Sequence, residues 1–573
     1  MRRPAGAGWA LVVALLLAVS ACSTVPSSSP TVQITQAPSR PAEIVGIEPL
    51  PPEPGATPDE IVRNFIDASA SARQGHPVAR QYLAPEAAGS WSDEGSITIL
   101  SPDYATVASE TGTVTLTANL VGTVDERGVF TVGGTGIFTR QFTLEQVDGE
   151  WRITDPPDGL IYLQPDFERL YVARDAFFLD LTRQRVVPDP RLLIKGDAQP
   201  TALIQRLIDG PSGPIAAGVI NPLSGVQLRS AVTVDEGTAV VDLTALADDP
   251  APELSEICAQ IVWTLSPLRR TIEIRVDGEP VDIEGIPAQQ TVEDWATYDP
   301  DAVPLDAVGH YVSGGALHTV TTGAPSPGPA GTGGYGLSSA AVSADPRTGK
   351  LSFLVGVRPD ASGATLFAGP YAGDLAVVLS ATTLTAPTFA STRAEAWVVR
   401  DGTDVVRVPS SGAPQAVNAP TLAGLGRADV LRLSPDGVRA ALVVDGPGGS
   451  SLYVGTVVRA QDGSVELRDL RVVTPPLSQV VDVAWRDSGN LLVLAGNEGE
   501  NRVDPYAVGV DGWGLSDVPT SGLPSQPQSI AAAPTRRPLV DAGGTIWQLN
   551  GGTWVTLVRG AQPLPGTAPF YPL

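Results

Sequence analysis

Cysteine, methionine, histidine and lysine are all scarce in this chain. Its 573 residues include two cysteines, one methionine and three histidines, and the only lysines are Lys195 and Lys350. Basic residues number 37 against 62 acidic ones, a formal net charge of −25. That balance opposes a phosphate backbone, so no nucleic-acid partner is expected. Charged residues are 17% and apolar residues 43%, a mixture that buries a core and excludes a disordered chain. At roughly 100–200 residues per domain, three or four domains are expected. No apolar run of spanning length occurs: the longest near the amino terminus, from Trp9 to Val19, is too short to cross a bilayer permanently.

Catalytic patterns are lacking too. There is no Gly-x-Ser-x-Gly elbow. Gly349-Lys350 is followed by Leu351 and lacks the upstream glycine of a phosphate loop. His76 is far in sequence from His310 and His318 and falls in a different expected domain, which argues against a metal site or triad shared by all three. The acidic pairs Asp248-Asp249 and Asp299/Asp301 read as solvated turns rather than glycosidase dyads. No catalytic, cofactor-binding or metal-binding residue is assigned, no cofactor is expected, and the chain is not read as an enzyme.

What is present starts at the amino terminus. Arg2 and Arg3 precede the Trp9 to Val19 run, the order of an export signal. The run ends in Val19-Ser20-Ala21-Cys22, which resembles the bacterial lipobox, whose small residues admit the lipoprotein signal peptidase and whose cysteine accepts a diacylglyceryl group. Residues 1–21 are read as a lipoprotein signal peptide and Cys22 as the lipid-attachment site, with an N-acyl chain and an S-diacylglycerol. Residues 22–57, rich in Ser, Thr and Pro, form a flexible linker. The expected location is the extracytoplasmic face of the cell membrane, held by the lipid anchor. With Cys22 acylated, Cys258 has no disulfide partner. It lies among Leu254, Ile257, Ile261, Val262 and Leu265 at helical spacing and is expected as a buried small hydrophobe.

Three folded segments follow. In residues 58–165, an apolar stripe of Ile61, Val62, Phe65 and Ile66 predicts a helix from Pro58 to Ala72, with a shorter one near Val78 to Leu83. Alternating strands come next, and Val147-Asp148-Gly149 marks a hairpin turn. Helices followed by a curved antiparallel sheet are similar to cone-shaped α+β domains of the nuclear-transport-factor-two kind. In residues 177–290, a helix carrying Leu203, Ile204, Leu207 and Ile208 ends at Gly210-Pro211. A strand over Val226 to Val234, a turn at Asp235-Glu236-Gly237, a strand over Thr238 to Leu243, the Cys258 helix and a strand over Thr271 to Val276 complete an α+β unit. The phrases Leu207 to Pro211, Val241-Asp242-Leu243, Gln260 to Leu265 and Val276-Asp277-Gly278 resemble the GerMN domain, an extracytoplasmic module without established catalytic residues.

Residues 307–573 repeat themselves. Leu431-Arg432-Leu433-Ser434-Pro435-Asp436-Gly437 before Arg439 to Val444, and Val483 to Gly489 before Leu491 to Leu494, are each strand, turn, strand. Weaker copies occur at Ser338 to Leu354, Phe389 to Val399 and Ile530 to Val540. The repeat length is that of a β-propeller blade, and five or six blades fit. Ala316 to Val320 is the candidate closing strand, and Trp397, Trp485, Trp547 and Trp554 are expected between blades.

Lipobox, small α+β domain, GerMN-like domain and propeller, in that order, resemble the actinobacterial LpqB lipoprotein family over nearly the whole chain. Phe177-Phe178-Leu179-Asp180 with Val187-Pro188-Asp189-Pro190-Arg191 adds to the likeness. The resemblance implies an accessory of the MtrA/MtrB two-component system that contacts the extracytoplasmic part of an MtrB-like sensor histidine kinase, with effects on cell-wall homeostasis and division. The alternative reading is an envelope binding module for cell-wall fragments or small ligands.

Overall fold

The computed structural model describes residues 49–573 apart from 245–250, 304–307, 346–347 and 497–500. The lipobox, most of the linker and Asp248-Asp249 lie outside the described residues. The first folded segment opens with a helix, Pro58–Ser69, started by a capping box: Thr57 Oγ1 accepts from Glu60 N (3.4 Å), and the Glu60 carboxylate accepts from Thr57 N (2.8 Å). Its Ile61, Val62, Phe65 and Ile66 are buried in the core shared with a sheet ordered Glu150–Ile153, Ile137–Val147, Thr113–Val124, Ile97–Ala108, Leu160–Leu163. The expected second helix is a single 3₁₀ turn, Ala79–Tyr82. At the Asp148-Gly149 hairpin both residues have positive φ, 53° and 84°, as a type I′ turn requires.

In the second segment, helices Gln199–Ile208 and Ala251–Leu265 share a core with the sheet Thr233–Asp235, Thr238–Leu243, Thr271–Val276, Glu279–Pro280. Thr238–Leu243 and Thr271–Val276 run parallel, a pairing that a crossover helix makes possible. The strand expected from Val226 shrinks to Thr233–Asp235, with one isolated bridge from Leu228 to Leu243. Val226 is drawn into the helical core while Val234 stays exposed, so the upstream residues cannot keep to one sheet face.

Among the described residues the carboxy-terminal segment forms a closed ring of six antiparallel sheets, five of four strands and one of three, plus a two-stranded ribbon of Val558–Arg559 with Gln562–Pro563. The innermost strands Ser339–Ala344, Thr388–Ala390, Arg427–Leu433, Val480–Asp487, Pro527–Ala531 and Thr567–Phe570 touch one another in that order, and the last returns to the first. Six separate hydrophobic clusters fill the six interfaces, for example Trp397 with Leu431 and Leu442, and Trp554 with Leu492 and Leu494. Trp397, Trp485 and Trp554 are buried, and Trp547 packs against the same cores half-exposed. Ala316–Thr319 belongs to the closing sheet but does not itself join the chain's two ends. His310–Ser313 pairs with Thr567–Phe570, and Ala316–Thr319 lies one strand further out, because the Gly314-Gly315 turn, φ 57° and 82°, folds it back as the outer arm of a hairpin.

Candidate functional site

Cys22, the one site residue read from the sequence, lies outside the described residues. Among the described residues no group of three or more His, Cys, Asp or Glu is placed to hold a metal ion. His76 pairs through Nδ1 with Asp93 (2.7 Å). His310 is bound to Val308 O (2.8 Å) and the Tyr371 hydroxyl (3.0 Å), and burial pushes it down to about 4, so it is neutral. His310 and His318 share one hairpin, but Thr319 is opposite His310 and Tyr311 is opposite His318, so the two rings point to opposite faces. Cys258 is fully buried, and burial pushes its thiol up to about 12.

The ring encloses a central cavity of about 150 Å³, lined by residues 339–342, 386–389, 432–433, 484–485, 529–532 and 568–571 together with Leu573. Among the described residues its one charged lining residue, Arg432, is tied to buried Asp482 (3.1 Å). At that size it falls short of the roughly 300 Å³ at which small-molecule pockets begin, and its charge is already satisfied.

The richest chemistry lies where the three segments meet, around the long hairpin Tyr171–Asp180 and Val186–Ile194. Alternate residues of this hairpin enter different cores: Leu192 joins the first segment, while Ala176, Phe178, Val187 and Leu193 join the second. At its tip, the Pro188 carbonyl accepts from the guanidinium of Arg439, a ring residue that is 1% exposed. Asp189 accepts from Arg191 (2.8 Å) and from both the backbone N and the hydroxyl of Ser212 (2.7 Å each). Thr456 of the ring donates to Pro214 O (2.5 Å), and the ring's Ser488 donates to Asp301 Oδ1 (2.7 Å) and Pro300 O (3.0 Å). The Asp299 carbonyl accepts from Arg185. Asp301 thus links this stretch to the ring, while Asp299 ties it back to Arg185 of the second segment; the expected turn is there, but it is only partly exposed. Both aspartates pair with partners far away in sequence, and no local pattern reveals such pairing.

The first segment is tied in at two further points. Arg127 donates to the carbonyls of Asp209 (3.0 Å), Gly210 and Pro211 (3.2 Å), satisfying acceptors left at the end of helix Gln199–Ile208. Trp513 of the ring meets Phe130 and Phe167 edge-on, at 5.1 and 5.3 Å between ring centres, a geometry that favours aromatic pairs.

Electrostatics follow from this enclosure. Burial pushes Asp175 up to about 6 against the pull of Arg439. Burial, then the neighbouring Asp487, pushes Asp301 up to about 7. Burial also raises Asp436 and Asp511. Asp189 goes the other way, because Arg191 and Ser212 outweigh its burial and hold it below the usual carboxylate range. The arrangement ties the three segments together. Sequence reasoning missed Arg439, Asp175, Asp301 and Trp513. The Val187 to Arg191 phrase was the signal nearest to them, and an aromatic flanked by Gly512 and Gly514 is the signal for Trp513.

Three family models match the chain: "Lipoprotein LpqB, N-terminal domain" over residues 51–168, "Sporulation and spore germination" over 170–282, and "Lipoprotein LpqB beta-propeller domain" over 315–572. A Lipoprotein LpqB of Rhodococcus opacus (strain B4) is 32% identical over 572 residues, covering 94% of this chain and 93% of its own. One of Mycolicibacterium smegmatis is 30% identical over 604 residues, covering 98% and 99%. Another, of Corynebacterium diphtheriae, is 28% identical and covers 97% of each chain.

Proposed function

Because the chain belongs to the LpqB lipoprotein family, we propose that it is a membrane-anchored extracytoplasmic lipoprotein that serves as an accessory to a two-component sensor kinase of the MtrA/MtrB kind in cell-wall homeostasis and division. Cys22 carries the lipid, residues 22–57 are the tether, and the folded body begins near residue 58, with a first domain of the nuclear-transport-factor-two kind. The observation that carries this reading is the junction: Arg439, Thr456 and Ser488 of the ring bind the second segment at Pro188, Pro214 and Asp301, so the body presents fixed surfaces to a partner. Anchoring confines both proteins to one membrane, which raises their effective concentration and lets a weak contact regulate.

The test is titration of the full chain against the extracytoplasmic domain of the MtrB-like kinase, followed by kinase autophosphorylation in membranes with native or Cys22→Ala protein. Saturable binding is expected, weakened by salt because an acidic body meets basic kinase residues. Phosphorylation is expected to respond to the native protein and not to the unanchored variant. No binding up to high micromolar concentration, with unchanged phosphorylation, counts against the reading.

A further inference from the structure

A second cavity, of about 400 Å³, opens between the first segment and the ring, within the roughly 300–1,000 Å³ of small-molecule sites. From the first segment come Leu120, Phe130 and Val132, and from the ring come Val473, Trp513 and Leu515. Pro475 and Pro476 stiffen one wall. Gly512 permits a close approach of the walls, since an added Cβ there would strike the Val473 carbonyl at 2.6 Å.

The polar character of the lining is equally specific. Among the described residues no Asp, Glu, Lys, Arg or His lines the cavity. Its polar side chains are Asn119, Thr135, Gln164 and the Trp513 indole. Trp91, Trp263, Trp295, Trp397, Trp485, Trp547 and Trp554 each donate their indole N–H to a protein acceptor, whereas Trp151, away from this cavity, does not among the described residues. The Trp513 N–H has no acceptor among the described residues, and the side chains of Asn119 and Thr135, both exposed, have no protein partner among them, so all three are free to meet a solvent or ligand group.

An uncharged lining penalises any ion, which would lose its hydration with nothing to pair it. A neutral sugar, with a hydroxyl on most carbons, would set many of them against Leu120, Phe130, Val132, Val473 and Leu515, which offer no hydrogen bond. We infer that this interdomain cavity is a binding site for a neutral amphiphile, a hydrocarbon chain of acyl or isoprenoid type ending in an uncharged hydrogen-bonding group. The apolar side chains take the chain, and the Trp513 N–H, with Asn119 or Thr135, meets the polar end. Because the walls come from two segments, an occupant bridges them. The assignment is independent of the kinase reading.

Isothermal titration calorimetry of the full chain tests it, with decanol as the straight-chain probe, farnesol as the isoprenoid probe, and decanoate and decylammonium as charged controls. Saturable binding of one equivalent of decanol or farnesol is expected, with each charged control weaker by at least about tenfold. Which alcohol binds more tightly distinguishes an acyl source from an isoprenoid one. Val132→Phe, which narrows the cavity, is expected to weaken the better probe by at least about tenfold. Leu515→Ala, which removes apolar lining without adding bulk, is expected to weaken the better probe too and decides the matter if Val132→Phe does not fold. Absence of saturable binding by either alcohol, equal binding of the charged controls, or native affinity in the folded cavity variants would overturn the assignment.

Discussion

Asp301 sits where the chain leaves the second segment for the ring, accepting from Ser488 N with Asp487 nearby. An unfolded aspartate gives up its proton near pH 4, whereas burial and Asp487 keep the folded carboxyl protonated up to about 7. Between those values the folded state holds the extra proton, so this group's contribution to stability falls as pH rises through that window and is lowest above it. Asp301→Asn keeps the acceptor for Ser488 and cannot ionise. Its thermal midpoint should match the native one near pH 4 and exceed it at about pH 8, with the gap opening between. A gap that does not change with pH would show that Asp301 does not titrate as described. Cys258 makes a second residue-scale prediction. With its thiol buried and pushed up to about 12, alkylation of the peptide that carries it, followed by mass spectrometry near pH 8, should be negligible in the native protein and fast in denaturant. Rapid native labelling would mean that helix Ala251–Leu265 opens.

At the scale of elements, the closing sheet is the most informative part. Thr567–Phe570 fills the innermost position beside His310–Ser313, and Leu573 continues the contact by exchanging backbone hydrogen bonds with Val342 and Ala344 (3.2 and 2.9 Å). Deleting residues 567–573 uncovers the edges of two blades and the clusters around Leu317 and Tyr311. The shortened chain should melt at a lower temperature, over a broader range, and should bind a hydrophobic dye that the native chain excludes. An unchanged sharp melt would imply that the ring does not depend on this strand. The same sheet shows what the sequence can and cannot reveal. Repeated strand–turn–strand phrases such as Leu431 to Val444 made the blades legible, because each blade alternates apolar residues toward both neighbours. Helix Pro58–Ser69 was legible from its cap and its stripe. The pairing of His310–Ser313 with Thr567–Phe570 was not, since strand order is fixed by contacts more than 250 residues apart that leave no local trace. For the same reason the cavity beside Trp513 could not be read ahead of the fold: its walls come from segments hundreds of residues apart.

For the whole molecule the decisive question is whether three segments behave as one. Their cores are stitched by the Tyr171–Ile194 hairpin, by Val438 of the ring entering the second core, and by Trp513 packing against the first. Arg439 is the hub: 1% exposed, it binds Pro188 O and stands 3.7 Å from Asp436, which is also buried, with Asp175 nearby. Removing one member of a buried charge group leaves the others unpaired in a poorly solvating interior, at a cost of roughly 3–5 kcal/mol. The exposed pair Arg427–Asp429, about half accessible on both sides, should be worth under about 1 kcal/mol. Calorimetry of the native chain is therefore expected to give one cooperative transition, with Arg427→Ala nearly unchanged. Arg439→Ala should lower stability strongly and split the endotherm into a ring transition and a separate one for the two α+β segments, because the ring retains all six of its own interfaces while losing its main tie to Pro188. If Arg439→Ala lowers the midpoint without splitting the transition, the remaining ties at Thr456, Ser488, Arg127 and Trp513 suffice to couple the segments. Two transitions in the native chain would mean that the junction does not couple them at all, and the partner would then meet three independently moving modules.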